Sequence, residues 1–232
     1  MVAIKRKLLL LGASGAIGST IREKFISNSW DVIGVTRGQV SDQCQVSWNP
    51  LDKASSMPKD VGPFEAVCWA QGENGNDSIY SFNEATHREM YEANVLYVLS
   101  SLSYLLKNNL LTKPARLCVI SSIWQEISRQ NKLSYGVSKS ALRGLILSLA
   151  NDMGVDGHLV NAVLPGALDT PMTHQNLSEK QLGEVVNATK FSRLSSLEDV
   201  ANTAYYLCSL ENTGVTGQFV KVDLGYSDVR II

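Results

Sequence analysis

The chain has 232 residues, with 21 Lys and Arg against 22 Asp and Glu, giving a formal net charge of −1. That balance excludes the chain-wide basic footprint of a nucleic-acid binder, so no nucleic-acid partner is expected. With 44% apolar residues, the composition predicts one large globular domain over residues 1–232, burying roughly 70% of its unfolded surface without disulfide or metal staples.

The opening MVAIKRKLLLLGASG puts charges before an apolar run. Leu8–Leu11 is shorter than a secretory core of about 7–15 residues, and it reads as a strand, Lys7–Leu11. Further strand patterns follow at Asp31–Thr36, Gln45–Trp48, Phe64–Ala70, Arg116–Ser121, His158–Leu164 and Gln218–Val222. Several are nearly continuous in Val, Ile and Leu, as in strands covered on both faces. Helical patterns lie between them, near 16–28, 82–108, 134–153, 178–190 and 197–210. The alternation predicts an α/β fold: one doubly wound parallel sheet of about seven strands, with right-handed crossovers placing helices on both faces. The helices at Phe82–Asn108 and Ser134–Asp152 are long, with apolar stripes at three- and four-residue spacings, and their outer faces suit a subunit interface. No stretch reaches the roughly 20 apolar residues of a membrane helix. Cys44, Cys68, Cys118 and Cys208 form no CxxC or zinc pattern. Cys68 and Cys118 read as small buried hydrophobes, in keeping with a reducing cytoplasm.

Three motifs carry chemistry. Gly12, Gly15 and Gly18 fall between the first strand and the first helix. A glycine turn there lets a pyrophosphate approach the helix N-terminus, whose unpaired N–H groups and dipole favour an anion. At the end of the second strand, an NAD site normally places a carboxylate on the ribose hydroxyls. Here Thr36 and Arg37 stand instead; nothing repels a 2′-phosphate and a guanidinium can pair with it, which favours NADP(H) while leaving NAD(H) open. Third, Ser121-Ser122 ends a strand, and Tyr135 and Lys139 share one face of a helix. An ammonium beside a phenol favours the phenolate, and lowering a tyrosine pKa from about 10 to near 7 takes roughly 4 kcal/mol.

With these residues in place, the chain resembles the short-chain dehydrogenase/reductase family over nearly its whole length. The resemblance rests on the Gly12–Gly18 turn, Ala70-Gln71-Gly72, Asn94, Ser122, Tyr135 and Lys139, then Asn161–Gly166, Thr170-Pro171-Met172, and Thr216-Gly217-Gln218 with Val222-Asp223-Leu224-Gly225. It implies a Rossmann-type fold and interconversion of a carbonyl and a secondary alcohol by hydride transfer. Tyr135 is then the acid/base, and Ser122 donates to the reacting oxygen. Lys139 tunes Tyr135 and holds the nicotinamide ribose, and Asn94 holds a relay water. The cofactor contacts implied are Gly12, Ser14, Gly15, Ile17, Gly18, Thr36, Arg37, Asn49, Ala70, Gly72, Pro165, Gly166, Leu168 and Thr170, together with Tyr135 and Lys139. Residues 169–193, with Met172, His174 and Gln175, fit a substrate lid, and Trp124, Gln125 and the polar run Gln71–Ser78 border the substrate. A homodimer or homotetramer is usual in such a family. Four departures stand out. The middle glycine of the turn sits at Gly15 rather than at Ala16, a spacing like that of nucleotide-sugar epimerases and dehydratases. Asn-Ala-Gly becomes Trp69-Ala70-Gln71-Gly72, Asn49 replaces an acidic residue near the adenine, and the closing motif reads Asp223-Leu224-Gly225. A non-catalytic dinucleotide sensor on the same fold would lack Tyr135 or Lys139.

Overall fold

Four consecutive leucines anchor the middle of the sheet. The computed structural model describes residues 5–36, 40, 44–58, 60–170, 173–174 and 177–229. Its strands are β1 (Lys7–Leu11), β2 (Asp31–Thr36), β3 (Gln45–Ser47), β4 (Phe64–Trp69), β5 (Leu111–Ile120), β6 (Leu159–Pro165) and β7 (Phe219–Val222). They form one sheet in the order β3-β2-β1-β4-β5-β6-β7, every pair parallel. The helices are α1 (Ala16–Ser27), α2 (Glu84–Tyr91), α3 (Tyr97–Lys107), α4 (Leu133–Asp152), α5 (Glu179–Asn187) and α6 (Leu197–Cys208).

Side chains alternate across a strand, so each strand feeds two cores. Leu8 and Leu10 join Ile21 and Phe25 of α1 and Val200, Ala204 and Leu207 of α6 on one face. Leu9 and Leu11 join Leu102 and Leu105 of α3 and Leu142 and Ile146 of α4 on the other. All four leucines are fully buried, each contributing about 1.5–3 kcal/mol of apolar transfer. Cys68 and Cys118 are register partners on β4 and β5, and Cys208 of α6 packs against them; all three are buried, as expected of small hydrophobes. No helix among the described residues is long and apolar enough to cross a membrane.

The helix expected over Phe82–Asn108 is interrupted. Asn83 caps α2 by accepting from the Thr86 N–H at 3.0 Å. A π-helical turn, Glu92–Leu96, then separates α2 from α3. Such one-turn widenings recur at functional sites, and this one contains Asn94. Beyond it, α3 is tied to the sheet by Trp69, whose Nε1 donates to the buried Ser101 Oγ at 2.8 Å. Leu96, Leu99 and Leu106 on one long helix, and Val137 and Leu147 on the other, are exposed.

Candidate active site

The strand order reverses direction between β1 and β4, and ligands of open parallel sheets sit beyond the strand ends at such a switch point. The glycine turn lies there. Gly12 has φ +81°, and a Cβ on it would stand 2.5 Å from the backbone nitrogen of Gln71. A Cβ on Gly18 would stand 2.1 Å from the Gly12 carbonyl oxygen. Both positions therefore require glycine. Gly15 does not, since a Cβ there would meet only that oxygen, at 3.6 Å. Gly15 is instead the N-cap of α1, a helix with no side-chain cap and no acidic residue in its first turn. Ser14 is exposed beside it, and Ile17 is packed inward on the sheet. Free N–H groups, an unopposed dipole and a close backbone fit a diphosphate.

Thr36 closes β2, its carbonyl accepting from the Trp48 N–H at 2.9 Å. Arg37, Met172 and Gln175 lie outside the described residues. Asn49 folds onto its own turn: Oδ1 accepts from the Leu51 N–H at 3.2 Å, while its N–H donates to Ser55 Oγ at 2.9 Å. Ala70 leaves β4 with its N–H bonded to the Leu11 carbonyl at 2.8 Å, and the adjoining Gln71 has a buried Oε1 with no partner.

The four family residues converge past the ends of β4 and β5. Ser122 opens the 3-10 turn Ile123–Gln125, and its Oγ accepts from the Trp124 N–H at 3.3 Å. Tyr135 sits in the first turn of α4. Burial raises its phenol pKa, and Ser122 opposes that rise. Lys139 is 4% exposed, with Nζ 5.6 Å from the centroid of the Tyr135 ring. Burial lowers its pKa to about 8. Among the described residues this ammonium donates one long hydrogen bond, 3.5 Å to the Ile120 carbonyl, so it retains donors suited to ribose hydroxyls.

Asn94 is 2% exposed. Its Oδ1 accepts from the Glu73 N–H at 2.9 Å, and its Nδ2 donates to the Glu73 carbonyl at 3.0 Å and to Ser138 Oγ at 2.9 Å. Both amide protons are occupied, so a relay water would have to donate to the remaining lone pair of Oδ1. This clamp draws Gly72 between Asn94 and Lys139; a Cβ on Gly72 would lie 2.7 Å from Asn94 Oδ1 and 3.3 Å from Lys139 Nζ.

One anchoring residue escaped the sequence reading. Helix α4 has no local side-chain cap; Asp77, 57 residues upstream, supplies one. Its Oδ1 accepts from the Ser134 N–H at 2.9 Å and its Oδ2 takes the Ser134 hydroxyl, which His87 Nδ1 also meets at 2.8 Å. A carboxylate at a helix N-terminus satisfies an orphan donor and the dipole together. No local signal marks a cap delivered from so far away.

Past β6, Gly166 donates to the Val222 carbonyl at 3.0 Å, and a Cβ there would lie 2.7 Å from the Asp223 Cβ. Pro165 ends β6 buried, and Leu168 is buried and bridged to Ser195. Thr170 Oγ1 caps its own turn, accepting from the Thr173 N–H at 3.2 Å. The segment beyond carries α5, opened by a Ser178–Gln181 capping box, and His174 Nε2 pairs with Asp169 Oδ1 at 2.7 Å in exposed positions.

The comparisons agree with this architecture. ElxO, solved with NADP bound, superposes with a TM-score of 0.86 at 21% identity, covering 97% of this chain and 100% of its own. A short chain dehydrogenase family protein from Francisella tularensis gives 0.84 at 20% identity, covering 97% and 100%. In sequence, the chain is 26% identical over 247 residues to the uncharacterized oxidoreductase YmfI of Bacillus subtilis, covering 96% of this chain and 99% of that protein. It is 29% identical over 244 residues to the 3-oxoacyl-[acyl-carrier-protein] reductase FabG of Buchnera aphidicola, covering 97% and 98%. Residues 57–227 match the sequence family described as enoyl-(acyl carrier protein) reductase. With a match over most of its length and a sheet wound in the same way, the chain belongs to the short-chain dehydrogenase/reductase family of oxidoreductases.

Proposed function

We propose that the protein interconverts a carbonyl and a secondary alcohol by hydride transfer with a dinucleotide cofactor, NADP(H) in preference to NAD(H). The observation that carries this reading is the Tyr135 phenol set between Ser122 and a buried ammonium, Lys139, that has no acidic partner among the described residues. The bound nicotinamide supplies or accepts the hydride. Tyr135 gives its proton to the nascent alkoxide in reduction and removes it in oxidation. Ser122 donates a hydrogen bond to the same oxygen. Lys139 stabilises the phenolate and holds ribose hydroxyls, while Asn94 and Asp77 fix the loop and helix that carry these groups. Gly12, Gly18 and the α1 N-terminus receive the diphosphate. Residues 169–193 close over the substrate as a lid within a single domain, and the exposed apolar faces of α3 and α4 suit a homodimer or homotetramer. The similarity to 3-oxoacyl reductases supports a carbonyl substrate. The deciding assay follows nicotinamide absorbance, with each cofactor, against panels of ketones, ketoacyl thioesters and sugars. Absence of turnover across the panels counts against the reading.

The acid/base role sets the pH dependence. Deprotonated Tyr135 is the base, so oxidation accelerates as pH rises through its apparent pKa. Reduction slows over the same interval, because Tyr135 must then carry its proton. Burial lowers the Lys139 pKa to about 8 and raises that of Tyr135; where two such groups interact, the apparent values belong to the pair. Rate profiles in both directions, under conditions where hydride transfer limits turnover, check this; parallel flat profiles oppose it.

Cofactor choice rests on Thr36 and Arg37. A charge-assisted bond from Arg37 to the 2′-phosphate is worth about 1.5–3 kcal/mol, or roughly 10–150-fold in affinity. Arg37→Ala should raise KM for NADPH by that factor and leave NADH nearly unchanged, and Thr36→Asp should shift preference further toward NADH. A wild-type kcat/KM favouring NADH overturns the assignment.

A further inference from the structure

Between Ser122 and Tyr135 the chain makes a loop whose two cations stand at the rim of the site. Lys132 Nζ lies 5.3 Å from the centroid of the Tyr135 ring, and Arg129 Cζ lies 5.7 Å from that of Trp124, two residues past Ser122. The two charges feel one another, and burial and Arg129 together lower the Lys132 pKa. Neither makes an ion pair with a carboxylate among the described residues. Lys132 is held instead by neutral acceptors, Asn74 Oδ1 at 2.6 Å and the Gly75 carbonyl at 3.0 Å. The nearby carboxylates are engaged elsewhere: Asp77 with the backbone and hydroxyl of Ser134, and Glu126 with Lys221 at 3.0 Å and Arg143 at 3.7 Å. Asp77 offsets part of the Lys132 charge.

Two like charges held close on aromatic faces at a substrate mouth cost free energy unless an anion joins them. We propose that Arg129 and Lys132 form an oxyanion-recognition pair, selecting carbonyl substrates that carry a carboxylate or phosphate near the reacting carbon. The inference rests on the hydride-transfer reading of Tyr135. A guanidinium fork offers paired donors to either oxyanion, and an ammonium adds a point charge. Lys132 brings one member of the pair to 5.3 Å from the centroid of the Tyr135 ring. An oxyanion held there orients the carbonyl toward the phenol, so the gain should fall mainly in KM.

The test uses matched substrates differing only in the anion: a keto acid against its methyl ester, and a keto phosphate against its dephosphorylated alcohol. For the wild type, kcat/KM should favour the charged member of at least one pair by about tenfold or more, the size of one charge-assisted hydrogen bond. The pair that shows it tells carboxylate from phosphate. Arg129→Glu should bring the ratio to one or below, Lys132→Gln should lower it severalfold, and Lys132→Arg should restore it. A purely structural Lys132, serving only to anchor the 74–75 loop, would change both members of a pair equally. In parallel, inorganic phosphate and acetate are titrated into wild type and Arg129→Glu while tryptophan fluorescence is followed. Trp124 is the half-buried indole facing Arg129, and saturable quenching by at least one anion should vanish in the variant. If neither member of any pair is reduced, the hydride-transfer reading fails while the titration still decides the anion site. Equal kcat/KM for charged and neutral members, or no saturable anion binding, overturns the proposal.

Discussion

Tyr135→Phe is expected to lower turnover by about 10²–10⁴-fold, the range supplied by one positioned acid/base, while cofactor affinity stays within a factor of about two. The phenol oxygen faces Ser122, whereas two ammonium groups stand near the ring, Lys132 at 5.3 Å and Lys139 at 5.6 Å from its centroid. Phenylalanine keeps the ring and those contacts and removes only the proton carrier. Lys139→Ala should behave differently, weakening cofactor binding and turnover together, because in the proposed mechanism the ammonium both holds ribose hydroxyls and stabilises the phenolate. Steady-state kinetics beside a cofactor titration separate the two. Near-normal kcat in Tyr135→Phe would remove Tyr135 from the chemistry.

Gly18→Ala is expected to abolish measurable cofactor binding and to lower Tm by several degrees. The added Cβ would stand 2.1 Å from the Gly12 carbonyl oxygen and 3.0 Å from Ala13 Cα, backbone atoms that move only if the turn opens. An overpacked site of this kind costs about 1–3 kcal/mol, and opening the turn misaligns the N–H groups proposed to receive the diphosphate. Gly15→Ala is the control, since its Cβ meets ordinary contact distances. Thermal unfolding and NADPH titration of both variants check the pair; equal behaviour would mean that the turn is not held by steric fit.

The strands were legible because both of their faces are buried: Lys7–Leu11, Phe64–Trp69 and Leu159–Pro165 appear almost as the apolar runs mark them. The alternation of those runs with helical stripes foretold the parallel sheet for the same reason. The break at Glu92–Leu96 was not legible. A π turn adds one residue without glycine or proline, and the apolar stripe continues on both sides of it. It is nevertheless what brings Asn94 to Glu73 and Ser138.

At the site, the resemblance of ordered motifs along the chain singled out Ser122, Tyr135, Lys139 and the glycine turn as candidates. Which glycines the turn requires was decided by packing: a Cβ on Gly12 or Gly18 would clash with backbone of Ala70, Gln71 and Gly12 itself, whereas one on Gly15 would make an ordinary contact at 3.6 Å. Asp77 capping α4 and Asn94 clamped to Glu73 are likewise tertiary decisions. Each joins groups far apart in sequence or presented by different elements, and hydrogen bonds and charge proximity of that kind leave no periodic trace in the chain. Local sequence determined what each element is; the sheet order, by setting β1, β4 and β5 side by side, decided which of the candidate groups come together.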